Sequence, residues 1–331
     1  MKKNIYNPGL LLCLVLVIVL VQPWVASGQK SPVHNQIEST FEWFRNHPPA
    51  ADGSNYAARK EKSALLDEYG MQLSHETWKA YRAAWASDPA GAREMENEHP
   101  VLYYFRYAAD RSAQEIRNTP VTEGVVIWKL YNMGYVVKTR DACFAIDLVQ
   151  PGAGDLSDVL DFAIVSHTHG DHYDTTFLNA MIAAGKKVYS PFYAAGTVID
   201  TETEFRQNEL KVRFTMNDQS GVPVIVTEVN CGPSAQEYTI YHIADSRVLE
   251  ALNPTRKPDL LILHIANGIN IFETIKRTQP SVTVFDHVME LGHAVGKYRW
   301  SYDYTYDQIR DFPKDSGYVL TWGERITAGV R

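Results

Sequence analysis

The sequence predicts an α/β sandwich with one functional edge, preceded by a helical segment. Three observations predict it. From Gln29 to about Asn118, apolar and aromatic residues recur at helical spacing. From Thr119 the period shortens to that of strands, with helices alternating between them further on. Polar residues of the kinds that bind metals recur where apolar strands stop, as expected if one edge of packed sheets carries the site. A chain of 331 residues can hold one large domain or two modest ones with ample core.

Residues 1–28 read as a signal peptide. Lys2 and Lys3 precede the apolar run Leu10 to Val21, and Ala26-Ser27-Gly28 offers small residues for cleavage before Gln29. A membrane span needs about 18–20 apolar residues, and this run is shorter. The mature protein is therefore expected to be secreted or periplasmic, with no stable membrane insertion after cleavage. Without Lys2 and Lys3, 30 of the 32 basic residues remain against 39 acidic ones, a charge near −9. No extended basic surface is available for phosphate backbones, so the expected partner is a small-molecule substrate and not a nucleic acid.

In the helical segment, Ile37, Phe41 and Phe44 share a face, with Trp43 beside them, and Pro48-Pro49 and Gly53 close the element. Ala57 to Tyr69 is a charged helix ending at Gly70. Ser74 is an N-cap before Trp78, Tyr81 and Trp85. Val101 to Ile116 carries the stripe Tyr103, Tyr104, Tyr107. These stripes read as core packing within a helical cap. Val125 to Leu130, Tyr135 to Lys138 and Cys143 to Leu148 then form a β-meander, split by turns at Asn132-Met133-Gly134 and Arg140-Asp141. Further strands are expected at Lys187–Tyr189, Glu209–Phe214, Val222–Val229, Tyr238–Ile243, Leu260–His264 and Ser281–Phe285. Helices are expected at Thr175–Ala184 and Ile269–Thr278.

The chemistry concentrates after Leu160 to Val165, an apolar run broken only by Asp161 that reads as a buried strand. Within six residues come His167, His169, Asp171 and His172, four of the ligand-type residues in a chain with only 11 histidines. Three imidazoles and a carboxylate on a tight turn form a set suited to a borderline cation such as Zn²⁺. Gly170 lets that turn bend sharply.

The spacing His-x-His-x-Asp-His resembles the signature of the metallo-β-lactamase superfamily. By pattern it is most similar to the ascorbate-6-phosphate-lactonase-like metal-dependent hydrolases. The resemblance covers residues 119–331 and implies a four-layer αββα sandwich with the metal site at one edge. Asp147, which ends the strand before the signature, takes the place of an aspartate that steadies the ligand loop. Tyr241-His-Ile-Ala-Asp-Ser246 resembles the segment whose aspartate bridges two metals, which implies Asp245 in that role, with Ala244 replacing the usual glycine. Thr283-Val-Phe-Asp-His287 resembles the strand delivering the last histidine, which implies His287.

One ligand of the pattern is missing, since no histidine lies between Tyr173 and Tyr241. The strand expected to carry it ends at Asn230-Cys231, and Cys231 is the natural replacement because a metal deprotonates a coordinating thiol. A free thiol, or a disulfide with Cys143, is the other reading. Cys143 lies four residues before Asp147, so about 13 Å of extended strand separates it from the active edge. A disulfide requires Cα atoms within about 7 Å. Asn230, His264 and His293 are further candidates, although His242, His264 and His293 read first as structural histidines. On this mapping Asp171, His172 and His287 hold one metal, His167 and His169 belong to the other, and Asp245 is shared. Zn²⁺, two ions of it, is the expected cofactor, with Mn²⁺ or Fe as alternatives.

The function implied is a secreted metal-dependent hydrolase. It would activate a bound water as hydroxide against an ester, lactone, phosphoester or amide, with Asp171 orienting the nucleophile or moving its proton. Arg299, in the aromatic-basic run Lys297 to Tyr306, is a candidate for holding an anionic substrate. That run otherwise reads as a C-terminal strand or loop. The alternatives are a degenerate one-metal site that binds a ligand without turnover, and a metal-dependent oxygen or thiol enzyme on the same fold.

Overall fold

The alternation of side chains along the strands sorts the core into layers. In the meander, β1 (Val125–Lys129), β2 (Tyr135–Lys138) and β3 (Cys143–Ile146) send Ile127, Tyr135, Val137, Phe144 and Ile146 to one face and Trp128, Val136, Cys143 and Ala145 to the other. The computed structural model describes residues 31–330, so the expected signal peptide lies outside the described residues. Among those residues, no helix is long and apolar enough to cross a membrane.

The first sheet has the order β14-β1-β2-β3-β4-β5-β6, with β4 at Phe162–Ile164, β5 at Lys187–Ser190, β6 at Thr197–Val198 and β14 at Arg325–Ala328. The second has the order β13-β12-β11-β10-β9-β8-β7. Its strands are β7 (Thr203–Gln207), β8 (Leu210–Gln219), β9 (Val222–Asn230), β10 (Thr239–His242), β11 (Leu260–His264), β12 (Val282–Asp286) and β13 (Gly317–Tyr318). Both sheets are mixed. Strands β3, β4 and β5 run parallel in the first, and β10, β11 and β12 run parallel in the second.

The sheets pack face to face through Phe144, Phe162, Ile164, Val212, Ile240, Ile262 and Val284. On the outer face of the first sheet, Ala163 and Val188 meet Phe177, Leu178 and Met181 of α6 (Thr175–Ala183). On the outer face of the second, Tyr241, Leu261 and Phe285 join α7 (Ile271–Thr278) and α8 (Tyr302–Gln308). This is the αββα layering expected.

The helical segment comprises α1 (Pro32–Asn46), α2 (Tyr56–Gly70), α3 (His75–Ser87), α4 (Pro89–Glu98) and α5 (Pro100–Asn118). Ser74 caps α3 by accepting the Thr77 N–H at 3.0 Å. The aromatic stripes are core, as expected. Ile37, Phe41, Trp78, Tyr81 and Phe105 join the same cluster as Tyr131 and Trp322, and Pro32–Arg331 form one compact unit. A fully buried ion pair fastens the segment to the C-terminal part, with Arg59 Nη2 2.8 Å from Glu324 Oε2.

The run from Lys297 is a loop followed by a helix, not a strand. Ser301 caps α8, and both carboxylate oxygens of Asp67 accept N–H groups from its first turn. Arg299 cannot meet a substrate. It is buried, and its guanidinium donates to the carbonyls of Gly70, Leu73 and Leu291 at 2.9, 2.6 and 2.5 Å.

Candidate metal centre

Parallel strands put their carboxyl ends on the same edge, and in α/β sheets that edge is where sites form. Here β3 ends before Asp147, β4 before Ser166 and His167, β10 before Asp245, β11 at His264 and β12 before His287. The two sheets thus bring residues far apart in sequence to one place.

Asp245 is at the centre. His172 Nε2 is 3.3 Å from its Oδ1 and His167 Nε2 3.8 Å from its Oδ2. His264 Nε2 and His287 Nε2 each approach to 4.0 Å. Asp171 Oδ2 lies 3.4 Å from His172 Nε2 and 3.2 Å from His287 Nε2. Three sets of ligand atoms lie within 4.8 Å of one another: His167, His172 and Asp245; Asp245, His264 and His287; Asp171, His287 and His293. His169 belongs to none of these sets. It is exposed, with its ring 4.7 Å from that of His167.

The donor set fits a metal. His167 Nε2 and Asp245 Oδ1 are buried with no hydrogen-bond partner, a costly arrangement that a bound cation would relieve. Imidazole and carboxylate are the ligands zinc and iron prefer.

Supporting contacts set the tautomers. Asp147 is buried and accepts Ser166 N–H at 2.7 Å, Ser166 Oγ–H at 2.7 Å and His172 Nδ1–H at 2.8 Å. With its proton committed to Asp147, Ser166 Oγ accepts from His167 Nδ1 at 2.9 Å. With each Nδ1 committed in this way, it is Nε2 of both histidines that faces Asp245 and is left to a cation. Asn132, in the turn after β1, donates to Asp171 Oδ2 at 2.9 Å, and Gln219, ending β8, donates to Asp245 Oδ2 at 2.7 Å. Asp286 is held by Lys129 Nζ at 2.7 Å and by Tyr135, and accepts the His287 N–H at 2.8 Å. Sequence reasoning missed Asn132, Gln219 and this Lys129–Tyr135–Asp286 brace. Asp147, Ala244 and His287 all have left-handed backbones, with φ of 47°, 49° and 62°.

Cys231 is not at this edge. Strand β9 runs antiparallel to β10, so its carboxyl end lies beside the start of β10. Cys231 N donates to Tyr238 O, and about 13 Å of strand separates Tyr238 from His242. The thiol is packed between the sheets at that far end, where burial pushes its pKa up, and its distance from the edge is what keeps it from being a ligand. Asn230 shares this location. Cys143 is also free, and its side chain belongs to the opposite face of the first sheet. His242 is structural, with Nε2 donating to Met133 O at 3.0 Å.

Without a cation the cluster shares protons. Burial would raise the Asp171 and Asp245 carboxyls, but His172 outweighs it and holds both well below the ordinary 3.8. Burial would lower His172 and His287, but Asp171 dominates at the first and Asp245 at the second, and both rise above 6.5. Burial and then His172 push His167 down to about 3, so it is neutral. The carboxylates stabilise the metal-free fold above pH 3.8, and that contribution fades as pH falls through their depressed values. The two histidines contribute below pH 6.5 and lose it as pH rises through their raised values. In metal-free protein, the melting-temperature gap between wild type and Asp245→Asn should therefore be widest between pH 3.8 and 6.5. A gap that keeps growing into the alkaline range would contradict this assignment.

A cleft of about 450 Å³ opens onto the centre. It is lined by Trp78 and Lys79 of α3, His169 and Asp171 of the turn, and Glu290 and His293 beyond β12. Arg82 of α3 donates to the carbonyls of Gly170 and Tyr173, which ties the helix to the ligand turn.

No family model matches the chain, and no curated protein matches it. Solved structures do. The metallo-β-lactamase-fold protein YhfI from Bacillus subtilis is 14% identical with a TM-score of 0.49, over 62% of this chain and 100% of that one. A possible metal-dependent hydrolase from Veillonella parvula is 16% identical with a TM-score of 0.49, over 62% and 99%. The metallo hydrolase Igni18 from Ignicoccus hospitalis is 18% identical with a TM-score of 0.48, over 61% and 97%.

Proposed function

We propose that the protein is a metal-dependent hydrolase of the metallo-β-lactamase type, acting outside the cytosol on a small molecule. The observation that carries this reading is Asp245, with four imidazole nitrogens within 4.0 Å and an orphaned oxygen of its own. His167, His169, Asp171, His172, Asp245 and His287 would hold two cations, with zinc favoured by the imidazole-carboxylate set. Bound there, the metal supplies Lewis acidity and lowers the pKa of a water molecule.

The chain's own residues do the rest. Asp171, between His172 and His287 and open to the cleft, orients the attacking water. Asn132 fixes the Asp171 carboxylate, and Gln219 fixes Asp245. Trp78 and Lys79 form the wall that a substrate lies against, and the cleft volume suits a small ester, lactone, phosphoester or amide. The reading of residues 1–28 as a signal peptide supports a secreted or periplasmic location. One observation favours a second reading. Because His169 stands apart from the ligand sets, a single cation bound without turnover is the rival.

Metal analysis of the purified protein, combined with a substrate panel, tests this. The panel would contain a p-nitrophenyl ester, a γ-lactone, bis-p-nitrophenyl phosphate and a p-nitroanilide. Two bound cations and turnover of at least one class, lost on chelation and regained with zinc, is the expected result. One cation with no turnover across the panel would sink the hydrolase reading in favour of its rival.

A further inference from the structure

We infer that His264 is not a metal ligand but a fixed N–H donor facing the reaction space, and so a catalytic residue of the proposed hydrolase. The catalytic part of this inference rests on the hydrolase reading. The donor assignment does not.

The N–H of Ala266, two residues beyond the end of β11, donates to His264 Nδ1 at 2.9 Å. A ring nitrogen that accepts an N–H carries no proton, so the neutral imidazole must carry its single proton on Nε2. The doubly protonated ring is excluded as well, because it would set an N–H against an N–H. Metal coordination through Nε2 needs a lone pair at that atom, and this tautomer does not supply one. His172 and His167 have the opposite arrangement, since their Nδ1 protons go to Asp147 and Ser166, which leaves Nε2 as the nitrogen a cation would take.

The donor is aimed at the centre. His264 is buried and its ring stacks on His287 with centroids 4.0 Å apart, which fixes its direction. Nε2 is 4.0 Å from Asp245 Oδ1, beyond hydrogen-bond range, so the N–H is not consumed by that carboxylate. With Nδ1 taken by the Ala266 N–H, the proton sits on the ring nitrogen beside Asp245. A substrate oxygen that gains charge there meets a donor that is already oriented, shielded from water and in need of no reorganisation. Such donors typically contribute about 10²–10³ in kcat.

The test uses the full chain loaded with zinc and labelled with ¹⁵N-histidine. Long-range ¹H–¹⁵N spectra, with the His264 signals assigned by their loss in His264→Gln, should show Nε2 protonated and Nδ1 bare. Zinc content of His264→Ala and His264→Gln should equal that of wild type. With the best substrate of the panel, kcat should fall about 10²–10³-fold in His264→Ala while KM stays within a few-fold. His264→Gln, whose amide N–H can reach the Nε2 position, should recover part of the loss. Deprotonation of Nε2 on zinc loading, or loss of a zinc equivalent in either variant, would overturn the donor assignment. Unchanged kcat in both variants would overturn the catalytic role. If wild type hydrolyses nothing, the hydrolase reading fails, and the spectra and zinc content still decide what His264 is.

Discussion

Asp245→Asn should cost the protein at least one bound cation and lower kcat by about 10³-fold or more. The substitution keeps the shape of the side chain and an oxygen for the Gln219 N–H, so the fold is expected to survive. It removes the one negative charge toward which His167, His172, His264 and His287 all converge. Asp171 would still serve the cation beside His172 and His287, but one left to His167 and His169 would have neutral imidazoles alone and lack the charge that repays its dehydration, and Lewis-acid assistance worth several kcal/mol goes with it. At about 1.4 kcal/mol per factor of ten, that loss corresponds to three decades or more in rate. Cys231→Ser is the matched control and should retain the wild-type metal content and rate, because its thiol lies at the other end of β9. Plasma mass spectrometry of both variants, together with initial rates, decides the matter. If Asp245→Asn keeps its metal, Asp245 is not the hub of the site.

Asp147→Ala should be the most destabilising single change at the centre. It leaves Ser166 N–H, Ser166 Oγ–H and His172 Nδ1–H without their acceptor in a fully buried space. Removing one partner from a buried charged network costs about 3–5 kcal/mol, more than the net worth of the contacts themselves. The effect on metal binding is separate. Without Asp147, nothing holds the Nδ1 protons of His172 and His167 in place, the Nε2 lone pairs lose their bias toward Asp245, and zinc affinity should fall about 10–100-fold. Urea unfolding of the metal-free proteins reads the first effect, and zinc titration by calorimetry reads the second. A variant with wild-type stability would mean that Asp147 is not the acceptor on which this loop depends.

Much of this architecture is legible in the sequence because it is local. The period-2 runs, the Ser74 cap and the His-x-His-x-Asp-His turn each carry their own signal, and the apolar strands point to Asp147, Asp245 and His287 at their ends. What fails is whatever depends on strand direction or on a distant partner. Cys231 ends a strand just as Asp245 and His287 follow one, and no residue near it reveals that β9 runs the other way. Arg299 has the composition of a ligand-binding cation. The three carbonyls that bury it come from residues 70, 73 and 291, none adjacent in sequence. Asn132 and Gln219 are ordinary polar residues beside turns until the sheets bring them against Asp171 and Asp245. His264 is visible as a polar residue closing a buried strand, but its tautomer is set by a backbone N–H that only the folded turn supplies.

The left-handed backbones at Asp147, Ala244 and His287 have a consequence for how the protein can change. Each forces a non-glycine residue into a conformation that costs about 1–3 kcal/mol, and all three border the same few ångströms of the molecule. Resistance to heat and readiness of the centre therefore pull against each other. At Asp147 and His287 the strain cannot be relieved by a glycine without losing a side chain the site uses. Ala244 is the exception, since it lends no side chain to the site. A glycine there could release its share of the tension and leave the neighbouring carboxylate where it is.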